Sequence, residues 1–179
     1  MPFAVTHILI PLIILGLFKD YYDSRHKNKF SLHYVLIAGI SGILPDLDIA
    51  AFWILHFFGF TFEQIHKTFI HSLFVPIFFL FLALIFTKIK IKEIGRHNLR
   101  LYIIFLMIFL GSLIHIILDA LFGEPLLLFY PFTTLTIGTN LVSYLPTALQ
   151  SLAMPSLDAA LLIIWLIYLE LKHKISDFI

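Results

Sequence analysis

The chain has 179 residues, 60% of them hydrophobic and only 13% charged, with a mean hydropathy of +0.99 and a net charge of +1. A soluble domain carries about a quarter charged residues, so the composition excludes an ordinary water-soluble fold, and the near-neutral balance excludes the basic field that holds a nucleic-acid backbone. There is no Cys, which excludes disulfides, thiolate nucleophiles and cysteine-based zinc or iron–sulfur sites.

In chain order, the apolar segment from Pro2 to Phe18 reads as a first membrane span. It lacks the basic start of a signal peptide, and Lys19, Asp20, Tyr21 and Tyr22 stand where a small-residue cleavage site would be needed. A second apolar stretch runs from Ser31 to about Phe60 and is interrupted by Pro45-Asp46-Leu47-Asp48. Proline removes a backbone donor and breaks a helix, so this span is broken at Pro45. Thr68 to Thr87 is uncharged and long enough to cross, and Leu101 to Leu118 forms a fourth span. Gly123 to Met154 contains Pro125, Pro131, Gly138 and Pro146 yet is apolar apart from Glu124. It reads as a re-entrant or interfacial segment. A last helix is expected between about Pro155 and Leu171. No repeat or second domain is visible. The expectation is an all-α polytopic bundle of about five spans forming a single membrane domain over residues 1–179.

The basic residues orient it. Lys19, Arg25, Lys27 and Lys29 share one loop, Lys88, Lys90, Lys92, Arg96 and Arg100 another, and Lys172 and Lys174 follow the last span. Five spans put all three groups on one side, which the positive-inside rule makes cytoplasmic, with the N-terminus outside and the C-terminus inside the cell membrane.

Ionisable groups inside spans are expensive and mark function. Here they are His7, Asp46, Asp48, His66, His71, His115, Asp119 and Asp158. Counting about 1.5 Å per residue from the cytoplasmic ends places His7, Asp46, His115 and His71 roughly 16 to 24 Å up, with His66 near the outer surface. Residues from four helices therefore meet in one layer in the outer half of the bilayer. Imidazoles and carboxylates without thiolates are the ligand set of a hydrolytic zinc or manganese site, and the number of carboxylates favours two or more ions. His115 and Asp119, four apart, share a helix face. Asp46 and Asp48 follow a proline, where loosened backbone lets both carboxylates turn toward metal. His66 and His71, five apart, are about 140° apart on a regular helix, so they serve different ions unless His66 sits where the helix begins. A buried polar network bracing the bundle is the alternative for such groups, but it explains a pair or two, not seven residues at one depth. His26, His33, His97 and His173 lie at the cytoplasmic edges and read as interfacial anchors. His56 stays open, and Asp158 either caps the last helix after Pro155 and Ser156 or joins the buried set.

Five pieces of sequence, in order, carry a resemblance: Thr6-His7; Gly42-Ile43-Leu44-Pro45-Asp46-Leu47-Asp48; His66-Lys67-Thr68-Phe69-Ile70-His71-Ser72; His115-Ile116-Ile117-Leu118-Asp119; and Gly123-Glu124-Pro125-Leu126-Leu127 with Pro131-Phe132. Over about residues 1 to 135 the chain resembles the YdjM-like membrane-bound metal-dependent hydrolases. That family in turn resembles the zinc-dependent phospholipases C and P1-type nucleases, helical proteins that cut phosphodiesters. The resemblance implies His7, Asp46, Asp48, His66, His71, His115 and Asp119 as metal ligands. Lys67 stands where the family usually has Arg; an ammonium holds a phosphate without the bidentate fork of a guanidinium. Ile49 stands where many relatives have a polar residue or histidine.

The activity expected is metal-dependent hydrolysis, with Zn²⁺ foremost and Mn²⁺ second, of a phosphoester or related ester in a membrane lipid or lipid-linked phosphate. No serine or cysteine nucleophile is then needed. Asp48 is the candidate general base or bridging carboxylate, Lys67 the anion-binding residue, and the segment Gly123–Met154 a wall or lid. Two other functions compete. A binding or assembly subunit would hold structural metals with closed coordination. A metal or proton transporter needs polar groups across both halves of the membrane, and the cytoplasmic halves of these spans are nearly free of charge. Reporter fusions after Lys29, Arg96 and Lys174 are expected to report cytoplasm at all three points; an external signal at any one would redraw the spans.

Overall fold

In a computed structural model the described residues are 4–66, 68–89 and 99–174, without the side chains of Glu63 and His173. Lys67, Lys90, Lys92, Arg96 and His97 lie outside them. The described residues are mostly helical, with an isolated antiparallel bridge between Leu126 and Ile137. The helices are α1 (Ala4–Arg25), α2 (Leu32–Ser41), α3 (Leu47–Leu55), α4 (Phe62–Ile65), α5 (Phe74–Lys88), α6 (Leu101–Phe122) and α7 (Thr147–His173). Of these α1, α6 and α7 are each long and apolar enough to cross a membrane, and α2, α3 with its following 3-10 turn, and α5 are shorter apolar helices.

Local chemistry sets most boundaries. Ser31 caps α2, its hydroxyl accepting from the His33 amide, and Thr61 and Gln64 form a capping box at α4, the Thr61 amide donating to Gln64 Oε1 at 2.9 Å. The expected break at Pro45 is present: α2 stops at Ser41, and Asp46 stands immediately before α3. The third apolar stretch becomes helical only at Phe74, because in a helix begun at Thr68 the ring of Pro76 would meet the Ser72 carbonyl. Residues 68–73 are turns, and the Leu73 amide donates to Leu128 O. The last helix starts at Thr147, eight residues before the expected Pro155, and runs through that proline; within a membrane helix a proline is tolerated in the interior. The irregular segment is correspondingly shorter, 123–146. It is tied to the end of α6 by Thr139 N→Ala120 O at 2.7 Å and to the start of α5 by the Leu73 bond.

The core is a triangle of α1, α2 and α6, filled by Leu9, Leu12, Leu15, Tyr34, Val35, Ala38 and Met107. Helix α5 packs on α6, with Phe79 and Phe86 stacked on Phe105. Helix α7 lies on α1, its lower end held by Tyr168, which donates to Asp20 Oδ2, and by Lys172 at 3.4 Å from the same oxygen. The Arg100 amide donates to the Tyr34 hydroxyl, which sets the start of α6 beside the start of α2. Successive long elements thus alternate in direction.

Two glycines let the triangle close. A Cβ on Gly111 would lie 2.3 Å from the Ala38 carbonyl, and one on Gly42 would lie 2.0 Å from the His7 carbonyl. Pro11 has no N–H for that His7 carbonyl four residues back, so the helix leaves it free to face Gly42. Gly111→Ala is expected to lower stability in detergent by about 1–3 kcal/mol through overpacking, read as a fall in melting temperature, whereas Leu152→Ala on the exposed face of α7 leaves it near wild type.

Candidate metal centre

The fold carries seven residues to one end of the triangle. Helix α1 supplies His7 in its first turn, the break between α2 and α3 supplies Asp46, the first turn of α3 supplies Asp48, and the last two turns of α6 supply His115 and Asp119. His66 terminates α4 and His71 lies in the turns before α5. Neither sits on a regular helix, so the expected 140° separation does not apply, and both face the same cluster. All are buried save Asp46, whose side chain is 17% exposed, against 0% for His71, His115 and Asp119.

Three overlapping groups place donor atoms close enough to share an ion: His7, His115 and Asp119; Asp46, His71 and His115; Asp48, His66 and His71. At their common centre His71 Nε2 and His115 Nε2 face each other at 3.3 Å. Asp46 Oδ1 is 3.6 Å from both nitrogens, and Asp119 Oδ2 is 3.6 Å from the first and 3.5 Å from the second. Ligands about 2.0–2.1 Å from a tetrahedral zinc ion stand about 3.4 Å from one another. The five separations match that edge, and the four between nitrogen and oxygen are too long for direct N–H···O bonds.

Other contacts fix how these rings present themselves. His115 Nδ1 donates to the Gly42 carbonyl at 2.7 Å; a carbonyl only accepts, so the proton is on Nδ1 and Nε2 is left to point at the centre. Asp48 Oδ2 lies 3.0 Å from His71 Nδ1, an ion-pair distance off the line of a hydrogen bond, and Asp48 Oδ1 lies 3.1 Å from His66 Nδ1. A histidine whose far nitrogen is engaged by a carbonyl or carboxylate is the usual arrangement behind a metal ligand. His7 stacks on His115 with ring centroids 3.8 Å apart and sets Nε2 3.4 Å from Asp119 Oδ1. Among the described residues neither Asp119 oxygen nor His7 Nδ1 has a hydrogen-bond partner, although all are buried. Orphaned buried carboxylate oxygens call for a cation, and the residues therefore fit a divalent ion.

The remaining sequence candidates fall elsewhere. His56 is exposed on the 3-10 turn after α3, against Phe52. His26 bonds the Tyr22 carbonyl and His33 contacts Ser31, both remote from the cluster. Asp158 does not cap a helix: it lies inside α7 and accepts from the hydroxyl of Thr6, which is wholly buried beside His7. Lys67 lies outside the described residues. Two contributors were not foreseen. The Gly42 carbonyl is backbone and has no residue-type signal, and the Thr6–Asp158 contact joins positions 152 apart.

A family model described as YdjM inner membrane protein matches residues 1–174. The chain belongs to this family. The match covers α7 as well as the motifs, and so reaches well past residue 135. No curated protein and no solved structure matches, and the further likeness to phospholipases C and P1-type nucleases gains no support from either. Within this YdjM protein, His115→Ala and Asp119→Ala are each expected to lower bound metal, measured by mass spectrometry of the elements, while His26→Ala leaves it unchanged. Asp48→Asn, which keeps the shape of the side chain, is expected to weaken metal affinity about 10- to 100-fold. Full loading of the His115→Ala, Asp119→Ala double variant would remove the cluster from consideration as a metal site.

Proposed function

We propose that this YdjM-family protein is a metal-dependent hydrolase of the inner membrane, acting on a phosphoester or related ester of a membrane amphiphile. The observation that carries the reading is the asymmetry of burial at the centre: Asp46 alone keeps an exposed edge while its partners are sealed. A purely structural centre is closed on every side, whereas a catalytic one retains an open approach.

His71, His115, Asp46 and Asp119 would hold the ion, with zinc preferred for this nitrogen-and-oxygen set and manganese the alternative. A bound divalent ion of this kind activates water near neutral pH and polarises a phosphoryl oxygen. The chain's own residues do the rest. Gly42 and Asp48 aim the two imidazoles, so Asp48 acts mainly through His71 and His66. His7, stacked on His115, faces the Asp119 oxygen on the side away from the centre and so would orient that carboxylate. Lys67, two residues from Phe69, would hold the anionic headgroup. Leu47, next to Asp46 in the chain, and Trp53, Phe57 and Phe69, on the segments that carry Asp48, His66 and His71, are exposed apolar side chains, a surface suited to acyl or prenyl chains. With the basic loops in the cytoplasm, this end of the molecule lies in the outer leaflet.

Metal-replete protein in bilayers containing phospholipids or polyprenyl phosphates is expected to release a water-soluble phosphate product, and a chelator to abolish the release. Lys67→Ala should raise KM for the anionic substrate by more than it lowers metal content. Metal-loaded protein that turns over neither lipid class, with saturated coordination, would leave a structural metal as the better account.

A further inference from the structure

From the basic end of the bundle, α1 and α6, which both pack on α2, leave between them a trough that rises as far as Ile114, one residue before His115. It has a volume of about 540 Å³ and is lined by Ile14, Phe18, Leu106, Leu110 and Ile114, with Arg100 at one end beside Tyr22 and Tyr102. From Arg100 to Ile114 the helix rises about 21 Å, more than the roughly 15 Å of one hydrocarbon leaflet. The trough is therefore long enough for a whole acyl chain, apolar along its length and cationic at one end only. That end also carries Lys27 and Lys29, in the segment leading to Phe30, another lining residue, and one carboxylate, Asp23, which accepts from the Phe30 amide and pairs with Lys19, so that the end is net cationic. Arg100 and both lysines are exposed.

We propose that this trough is a binding site for an anionic phospholipid of the leaflet facing the basic loops, with the phosphate at Arg100 and one acyl chain running toward Ile114. Charge complementarity selects the occupant. A cationic end at the membrane surface above an apolar channel fits a lipid with net negative charge better than a zwitterionic one, and a neighbouring helix would cover the channel without using its charged end. The site is separate from the metal centre and does not depend on it, since none of the seven cluster residues lines it.

The test uses full-length protein, stripped of lipid and returned to phosphatidylcholine bilayers with or without phosphatidylglycerol, then examined by native mass spectrometry. Wild type is expected to retain one phosphatidylglycerol in preference to phosphatidylcholine. Arg100→Gln should reduce that preference about fivefold, the loss expected for one surface cation. Ile14→Trp, at an exposed position that projects into the trough, should displace the lipid while bound metal and helical content stay at wild-type levels. Equal retention of both lipids by wild type, undiminished phosphatidylglycerol in Ile14→Trp, or a stable dimer that crosslinks through Ile14 would each overturn the proposal.

Discussion

The contact on which the rest of the molecule depends is made by a residue with no side chain. Gly42 ends α2 with its α-carbon against the His7 carbonyl and its own carbonyl on His115 Nδ1. One glycine thus sets the separation of α1 from α2, the rotation of α6 about its axis and the protonation of an imidazole. Pro11 contributes from α1 by leaving the His7 carbonyl without its helical donor. The interruption between α2 and α3 follows from Pro45, which lacks the N–H that a continuous helix would need. Backbone that turns there carries Asp46 and Asp48 back toward the axis of the triangle, where a continuous helix would have carried them past it.

Around that contact the bundle divides into two electrostatic halves. One end gathers carboxylates and imidazoles out of water, a state that repels itself unless protons or a cation intervene. The other end gathers the lysines and arginines, all exposed or half-exposed among the described residues. The two sets do not neutralise each other, because an apolar core of Leu9, Leu12, Val35 and Met107 lies between them. The acidic end would find its counter-charge in a metal ion, whereas at the basic end Asp23 and Asp20 already pair with Lys19 and Lys172.

Much of this was legible in the sequence because a membrane narrows the choices. Uncharged runs give helices, the break at Pro45 gives a turn, and an aspartate within an apolar run has few bland explanations. The members of the cluster were named by residue type and depth alone. What stayed hidden was backbone and distance. The sequence cannot show that Pro76 delays α5 and so leaves His71 on a turn, or that Pro155 sits inside a helix that has already begun at Thr147. The role of Asp158 depended on that boundary: a helix starting at Pro155 makes it a cap, and one starting at Thr147 turns it toward Thr6.

Among the described residues α7 gives no atom to the metal centre, and every member of the cluster precedes Phe122. During synthesis the constellation is therefore complete before the last helix leaves the ribosome. Asp46 and Asp48 arrive early, and the imidazoles of His66 and His71 follow within a few tens of residues. Asp119 comes last, near the end of α6, the most apolar of the three long helices. Inserting an aspartate into a membrane is unfavourable by about 2.5–3.5 kcal/mol, and each Leu, Ile or Phe returns about 0.3–0.6 kcal/mol. The density of Leu, Ile and Phe in α6 is what lets the translocon accept a helix bearing a carboxylate before its cation has been found.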